Sequence, residues 1–141
     1  MGRAREWGWL AAILLAFLAL AVFSARSMVP WDDEFGYLIL GPLALTGQVR
    51  LFQDEMTGQR LPLPYWVIGV SQVLTGANVL TARLTSVVLG AATVGVTFAL
   101  GRSLAGPTAG FLSALFLVTH ALVVGYYAAA QRIAQLVYVL P

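Results

Sequence analysis

Apolar residues occur in long uncharged runs along this chain, and polar residues are concentrated in short stretches between them. Three runs approach the length of a membrane span, at about residues 7–28, 83–102 and 106–128. A helix that crosses a bilayer needs about 20 predominantly apolar residues. The pattern therefore predicts three transmembrane helices and the start of a fourth at about residue 133. Because this fourth run has only begun when the sequence reaches Pro141, we expect an N-terminal part of a larger protein.

The first run has two interpretations. Two arginines precede it and small residues follow it, an order that is typical of a secretory signal peptide with a cleavage site in "FSA", residues 23–25. Its apolar core is longer than that of most signal peptides, and other runs follow it. We interpret it as an uncleaved first span whose Arg3 and Arg5 hold the N-terminus in the cytoplasm.

The stretch from residue 30 to residue 82 is the place where chemistry can assemble in water. Its residues 63–74 are apolar, but apolar segments of 10 to 14 residues are more often interfacial or re-entrant than spanning. Pro62 and Pro64 mark the start of this segment and Gly76 its end. We favour a juxtamembrane helix over a further span, which makes residues 30–82 one large extracytoplasmic loop.

The charges on the two sides test this topology. Inside, Arg3, Arg5 and Arg102 against Glu6 sum to +2, whereas five arginines and five carboxylates outside sum to zero. The outside set is Arg26, Arg50, Arg60, Arg83 and Arg132 with Asp32, Asp33, Glu34, Asp54 and Glu55. The net charge agrees with the positive-inside tendency, although basic residues counted alone favour the opposite orientation. We expect a multi-pass protein of the inner (plasma) membrane.

Composition supports an integral membrane protein. The chain is 60% hydrophobic and 10% charged, with a mean hydropathy of +0.84, whereas soluble domains carry about 25% charged residues. It has no cysteine, which excludes disulfides and thiolate metal sites within these residues. The net charge of +2 is too small to indicate a nucleic-acid partner. The single histidine, His120, falls in the middle of the third run, where we expect it to be neutral and hydrogen-bonded inside the helix bundle.

Three consecutive carboxylates, Asp32, Asp33 and Glu34, open the extracytoplasmic loop and make up half of the six acidic residues. One interpretation is an N-cap at Asp32 or Asp33, with Glu34 in the first turn of a short helix. One carboxylate is enough for a cap, however. Crowded and partly desolvated carboxylates have raised pKa values, as a general base requires, and a pair of them can also hold a divalent cation.

Arg60, Arg83 and Arg132 lie on the same predicted side as these carboxylates. Each one taken alone is explained by anchoring at the headgroup level. Together they are suited to bidentate binding of a lipid phosphate. Carboxylates beside phosphate-binding arginines favour a phospholipid-linked substrate that reacts just above the bilayer.

Four sequence motifs add to this interpretation; in chain order they are "DDEFGY", "RLPLPYW", "TARLTSVV" and "YYAAAQRIAQL". With the span that precedes them, they resemble the N-terminal part of GT-C-type integral membrane glycosyltransferases, in particular the protein mannosyltransferase-like and aminoarabinose-transferase-like families of bacteria. In those families an Asp-Glu pair opens the first extracytoplasmic loop, and a basic residue precedes a proline-rich aromatic stretch. Gln59 and Leu61 depart from the usual form of the second motif.

The resemblance implies transfer of a sugar from a polyprenyl-phosphate donor to an acceptor at the outer membrane face. Catalysis would then involve Asp33, supported by Glu34. The implied substrate-binding residues are Arg60, Arg83, Arg132, Tyr37 and Tyr65. Some members of these families use a divalent metal cation, and the sequence leaves open whether this chain does; no other cofactor is implied. The partners implied are the polyprenyl-phosphate-sugar lipid, the membrane lipids and an acceptor that the sequence does not identify.

Two other functions are compatible with the same residues. One is a small non-enzymatic membrane protein, such as an assembly factor or transporter subunit, whose acidic loop binds a partner. The other is a polyprenyl-phosphate flippase or phosphatase, which would need more polar residues inside the membrane than His120 supplies.

Overall fold

The computed structural model describes residues 3–30, 32–50 and 62–129. Within these ranges the chain is all-α and forms six helices. In chain order they are α1 (Arg3–Ser27), α2 (Asp32–Leu45), α3 (Pro62–Thr75), α4 (Val79–Ala105), α5 (Pro107–Thr119) and α6 (Ala121–Ala128). The fourth span predicted from about residue 133 lies outside the described residues.

Helices α1 and α4 are long and apolar enough to cross a membrane. They are antiparallel, because Arg83 of α4 contacts the C-terminal end of α1 while Arg102 contacts Glu6 near its N-terminus. These are the helices predicted at about 7–28 and 83–102. Helix α4 begins four residues earlier than the pattern predicts because Asn78 caps it, with its side-chain oxygen accepting from the Leu80 amide at 2.8 Å.

Helices α1, α4, α5 and α6 form what we call the bundle. Its interior is built from apolar side chains of all four helices, and its buried members are Ile13, Phe17, Ala21, Val87, Val94, Phe98, Ala114, Val118 and Val124. Gly90 allows a close approach at the centre. A Cβ atom there would lie 2.6 Å from the ring of Phe17 and 2.7 Å from the ring of Tyr127.

A single residue, Gly106, makes the turn between α4 and α5. Its φ of +88° is in the region that favours glycine, and its amide donates to the Arg102 carbonyl oxygen at 3.0 Å. The helices then pack closely, since a Cβ on Gly110 would lie 2.6 Å from the Phe98 carbonyl oxygen. The glycines of this hairpin therefore allow a one-residue turn and close packing of the two helices.

The third run differs from the single span predicted over 106–128. The structure has two helices there, α5 and α6, separated at His120, whose backbone is extended with φ −78° and ψ 104°. The side chain of His120 is exposed, in contrast to the expected position inside the bundle. Its ring lies 6.5 Å from that of Phe116 on the same surface.

Helices α2 and α3 form a second unit, the α2–α3 pair, inside the loop predicted as extracytoplasmic. Each buries residues at helical spacing: Glu34, Tyr37, Leu38 and Gly41 in α2, and Tyr65, Ile68, Gly69 and Gln72 in α3. The two backbones touch where Gly41 crosses Gly69. A Cβ on Gly69 would lie 2.5 Å from the Gly41 carbonyl oxygen, so a side chain at this crossing would force the helices apart.

Candidate functional site

The first turn of α2 carries the three carboxylates, and Glu34 is the one whose surroundings the structure describes. Its side chain is fully buried. It belongs to the same buried face of α2 as Tyr37 and Gly41, which lie one and two turns further along the helix. The α2 helix therefore begins with a carboxylate directed into the protein rather than into solvent.

Arg83 of α4 provides the cation for this carboxylate. Its Nε donates to Glu34 Oε1 at 2.9 Å and its Nη2 donates to Glu34 Oε2 at 2.6 Å, a bidentate arrangement. Its Nη1 donates to the carbonyl oxygens of Ala25 at 2.7 Å and Met28 at 2.9 Å. We call these four residues the Arg83 junction. It joins the end of α1, the start of α2 and the start of α4.

The carbonyls at the end of α1 are suited to this role. The last carbonyl groups of a helix have no partner inside that helix, and a cation near them is favoured by the helix dipole. Four of the five N–H groups of the Arg83 guanidinium are used by Glu34, Ala25 and Met28. The Arg83 side chain is only 4% exposed and the Glu34 side chain 0%, so the protein shields both charges from bulk solvent. Removing one member of such a pair costs about 3–5 kcal/mol.

Two tyrosines lie beside the junction. The rings of Tyr37 and Tyr65 are tilted by 46° with their centroids 5.0 Å apart, within the range of favourable aromatic pairs. Tyr65 is completely buried, and its hydroxyl has no hydrogen-bond partner among the described residues. Gln72, two turns further along α3, uses its Oε1 to accept from the Asn78 amide at 2.6 Å while its Nε2 is unpaired within the described part of the chain.

The structure brings the predicted site residues together in two pairs, Glu34 with Arg83 and Tyr37 with Tyr65. Asp33 lies in the first turn of α2, immediately before Glu34, and its side chain is outside the description. Arg60 and Arg132 lie outside the described residues. The catalytic and substrate-binding roles of all these residues stay predictions.

Sequence reasoning missed the carbonyl oxygens of Ala25 and Met28 as partners of Arg83. Backbone groups carry no sequence signal of their own, although a helix end always offers unpaired carbonyls. It also missed the crossing of Gly41 and Gly69. A glycine in the middle of each short apolar helix was the available signal, since glycine in a helix interior has a cost that close packing can explain.

A second ion pair lies at the opposite ends of α1 and α4. Arg102 Nε is 2.9 Å from Glu6 Oε2, but the two groups are not aligned for a hydrogen bond. The Arg102 side chain is 38% exposed, so water weakens this attraction. Nearby, the guanidinium of Arg5 lies 5.2 Å from the centre of the Trp9 ring, a cation–π contact.

The described residues contain no group of three or more His, Asp or Glu side chains arranged to hold a metal ion. Both Glu34 oxygens accept hydrogen bonds from Arg83, so this carboxylate is already engaged.

No protein-family model, curated protein or solved structure matches this chain. The resemblance to glycosyltransferases therefore stays a prediction that rests on the four sequence motifs. The structure supports a helical protein with two helices that are able to cross a membrane.

Proposed function

We propose that this chain is the N-terminal part of a multi-span membrane glycosyltransferase. It would move a sugar from a polyprenyl-phosphate donor to an acceptor at the extracytoplasmic face of the plasma membrane. The observation that carries the proposal is the Arg83 junction, because it fixes the start of α2, where Asp33 lies, against the ends of two membrane-length helices. A reaction on a lipid-linked substrate needs its reactive carboxylate at this level and in a defined orientation.

In the proposal, the roles of Glu34 and Arg83 follow from their contacts, and the roles of the other residues follow from the resemblance of the sequence motifs. Asp33 is the catalytic carboxylate, which activates the acceptor or stabilises positive charge on the sugar. Glu34 and Arg83 are positioning residues, since each is buried and directed at the other. Arg60 and Arg132 bind the donor phosphate, and the Tyr37–Tyr65 pair borders the sugar site. A divalent cation, where one is used, would bind near Asp32 and Asp33.

Asp33→Asn in the full-length gene product tests the proposal. Membranes that contain the protein are given undecaprenyl-phosphate-linked hexoses and pentoses, and release of undecaprenyl phosphate is measured. We expect the variant to lose activity by roughly 10²- to 10⁴-fold, the usual contribution of general acid–base catalysis. The amount of protein in the membrane should stay the same.

Asp32→Asn is the matched control, because it removes the same charge from the neighbouring residue and should keep most of the activity. Equal activity of the Asp33→Asn variant and the native protein would contradict the assignment of Asp33. Absence of donor turnover by the native protein with every donor would contradict the enzyme itself.

The second candidate is a non-enzymatic membrane protein whose acidic loop binds a partner. The observation in its favour is that Glu34 and Arg83, two of the predicted site residues, are engaged in joining helices. In that case Asp32→Asn and Asp33→Asn should weaken partner binding to a similar extent, without any change in lipid-linked sugars.

A further inference from the structure

The end of the bundle where α1 begins and α4 ends collects positive charge. Arg3 and Arg5 lie in the first turn of α1 together with Glu6, and Arg102 lies in the last turn of α4. Residues 99–112, which form the end of α4 and the start of α5, contain no other charged residue. The four side chains have a formal charge of +2, and we call this region the basic end.

Contacts between three helices bring Arg5 and Arg102 to the same part of the basic end. Arg102 Nε is 2.9 Å from Oε2 of Glu6, the residue that follows Arg5 in α1. The guanidinium of Arg5 lies 5.2 Å from the centre of the Trp9 ring, which in turn lies 4.9 Å from the ring of Phe111. Phe111 belongs to the turn of α5 that packs against Arg102. The two arginines therefore border one continuous surface.

Both guanidinium groups keep donors for a further anion. A guanidinium has five N–H groups. Arg5 is exposed and Arg102 is 38% exposed, and among the described residues neither side chain donates a hydrogen bond. Arg83 differs from them, because most of its donors are bound by the protein. Glu6 balances only one of the positive charges, so the basic end can attract an anion.

Apolar residues beside the two arginines indicate what kind of anion fits. Helices α1 and α4 are long enough to cross a membrane, so their ends lie near the headgroups. Trp7 is 58% exposed and Leu104 is 77% exposed at this end. Tryptophan is enriched at the membrane–water interface, and a long arginine side chain can extend from apolar surroundings to the headgroup level. The basic end thus suits a partner that has both an anionic headgroup and apolar tails.

We propose that the basic end binds the headgroup of an anionic phospholipid, with its phosphate held between Arg5 and Arg102. Charged hydrogen bonds from arginine to phosphate are strong, and each basic residue near an anionic membrane surface adds to the attraction. Phosphatidylcholine fits less well, because its own ammonium group balances its phosphate. A soluble anion would leave the exposed Trp7 and Leu104 without a partner. The inference requires that α1 and α4 cross a membrane, but it does not depend on the proposed catalytic residues.

Photo-cross-linking from position 7 of the full-length protein tests the binding. Benzoylphenylalanine replaces Trp7 in vesicles of equimolar phosphatidylglycerol and phosphatidylcholine, and mass spectrometry identifies the lipid adducts. We expect phosphatidylglycerol adducts to predominate. Arg5→Gln and Arg102→Gln should each lower the ratio of the two adducts about fivefold, which corresponds to about 1 kcal/mol per basic residue. Arg5→Lys should keep most of the preference, because it keeps the charge.

Arg26→Gln is the matched control, since it removes an exposed arginine from the last turn of the same helix. It should leave the adduct ratio at position 7 unchanged. An equal fall with Arg26→Gln would overturn the inference, because it would show an effect of net charge alone. Where Arg102→Gln lowers the amount of folded protein, Arg5→Gln decides.

Three other results would also contradict lipid binding at the basic end. They are equal amounts of the two adducts from the native residues, a ratio that Arg5→Gln leaves unchanged, and cross-links to protein instead of lipid. Loss of the preference on addition of inorganic phosphate at constant ionic strength would indicate a site for a soluble anion instead, and would overturn the inference as well. Sugar-donor turnover measured on the same vesicles separates these outcomes from failure of the proposed enzyme.

Discussion

The bundle has an interior of apolar side chains, whereas the contact between the α2–α3 pair and α4 combines apolar side chains with a buried ion pair and other buried polar groups. Five polar or charged residues are buried among those described: Glu6, Glu34, Gln72, Arg83 and Ser86. Four of them lie in the α2–α3 pair or in the first two turns of α4, against which the pair packs. An apolar interior tolerates small rearrangements of its side chains, but a buried ion pair requires one arrangement of the helices that carry it.

The two regions also differ in how much helix surface is available for packing. Helices of membrane length can be held by packing along their whole surface, with glycines allowing close approach. The α2–α3 pair consists of two helices of 14 residues each, which have less surface to pack. In our proposal its position must also be exact, because it carries the catalytic carboxylate. The Arg83 junction supplies that position with directional hydrogen bonds.

Arg83→Met should cause the largest loss of stability among the variants compared below. It takes the cation away from a buried carboxylate, and we expect a loss of about 3–5 kcal/mol in the free energy of unfolding. Unfolding in detergent micelles measures this loss. Adding Glu34→Met should restore part of it, because an apolar pair leaves no charge buried.

Arg102→Met is the control for that measurement. It removes an arginine of the same helix whose partner, Glu6, is also a buried glutamate, but whose own side chain is 38% exposed. We expect a smaller loss than for Arg83→Met, because water partly hydrates the Arg102 guanidinium and no hydrogen bond holds it to Glu6 Oε2. Equal losses for the two variants would mean that the Arg83 junction is no stronger than this partly exposed ion pair.

Gly69→Ala should have an intermediate effect. The new Cβ would lie 2.5 Å from a backbone oxygen of Gly41, which cannot rotate away, and we expect about 1–3 kcal/mol of destabilisation. Gly95→Ala in α4 is matched to it, since a Cβ there has nothing within 4 Å. That variant should gain up to about 1 kcal/mol from helix propensity. The same sign for both substitutions would argue against a close helix crossing.

Asn78→Ala should have the smallest effect. It removes the side-chain oxygen that caps α4, and such losses are typically about 1 kcal/mol. Thr75→Ala is a neighbouring control, because the Thr75 hydroxyl donates to the Ser71 carbonyl of its own helix and is exposed. Its free energy of unfolding should change by less than about 0.5 kcal/mol. If Thr75→Ala loses more unfolding free energy than Asn78→Ala, the Asn78 cap is not the reason why α4 begins at Val79.

The sequence predicts those helices along which hydrophobicity persists over many consecutive residues. Helices α1, α3 and α4 are predicted in this way, from two long apolar runs and one short apolar segment. The break at His120 was not predicted, because the apolar pattern continues across it without glycine or proline. Periodicity reports which residues avoid water, and it carries no information about where a helix changes direction.

For the candidate site, too, the sequence predicts one part and leaves another part unpredicted. The sequence groups Glu34 and Arg83 on one side of a membrane, and the structure finds them in contact. What one sequence cannot show is that they bind each other across 49 residues of chain, and that the remaining donors of Arg83 bind backbone carbonyls. In our proposal Arg83 therefore positions α2, and its binding of the donor phosphate stays a prediction.

The long separation between Glu34 and Arg83 has a consequence for biosynthesis. The ribosome completes α1 and α2 well before it reaches Arg83, which follows Glu34 by 49 residues. At about 5–20 residues per second, this delay lasts roughly 2–10 s. During that interval Glu34 has no Arg83 with which to pair, so α2 cannot take its final position until α4 emerges. Attachment of the acidic segment is therefore a late step, which has to wait for synthesis of the second membrane-length helix.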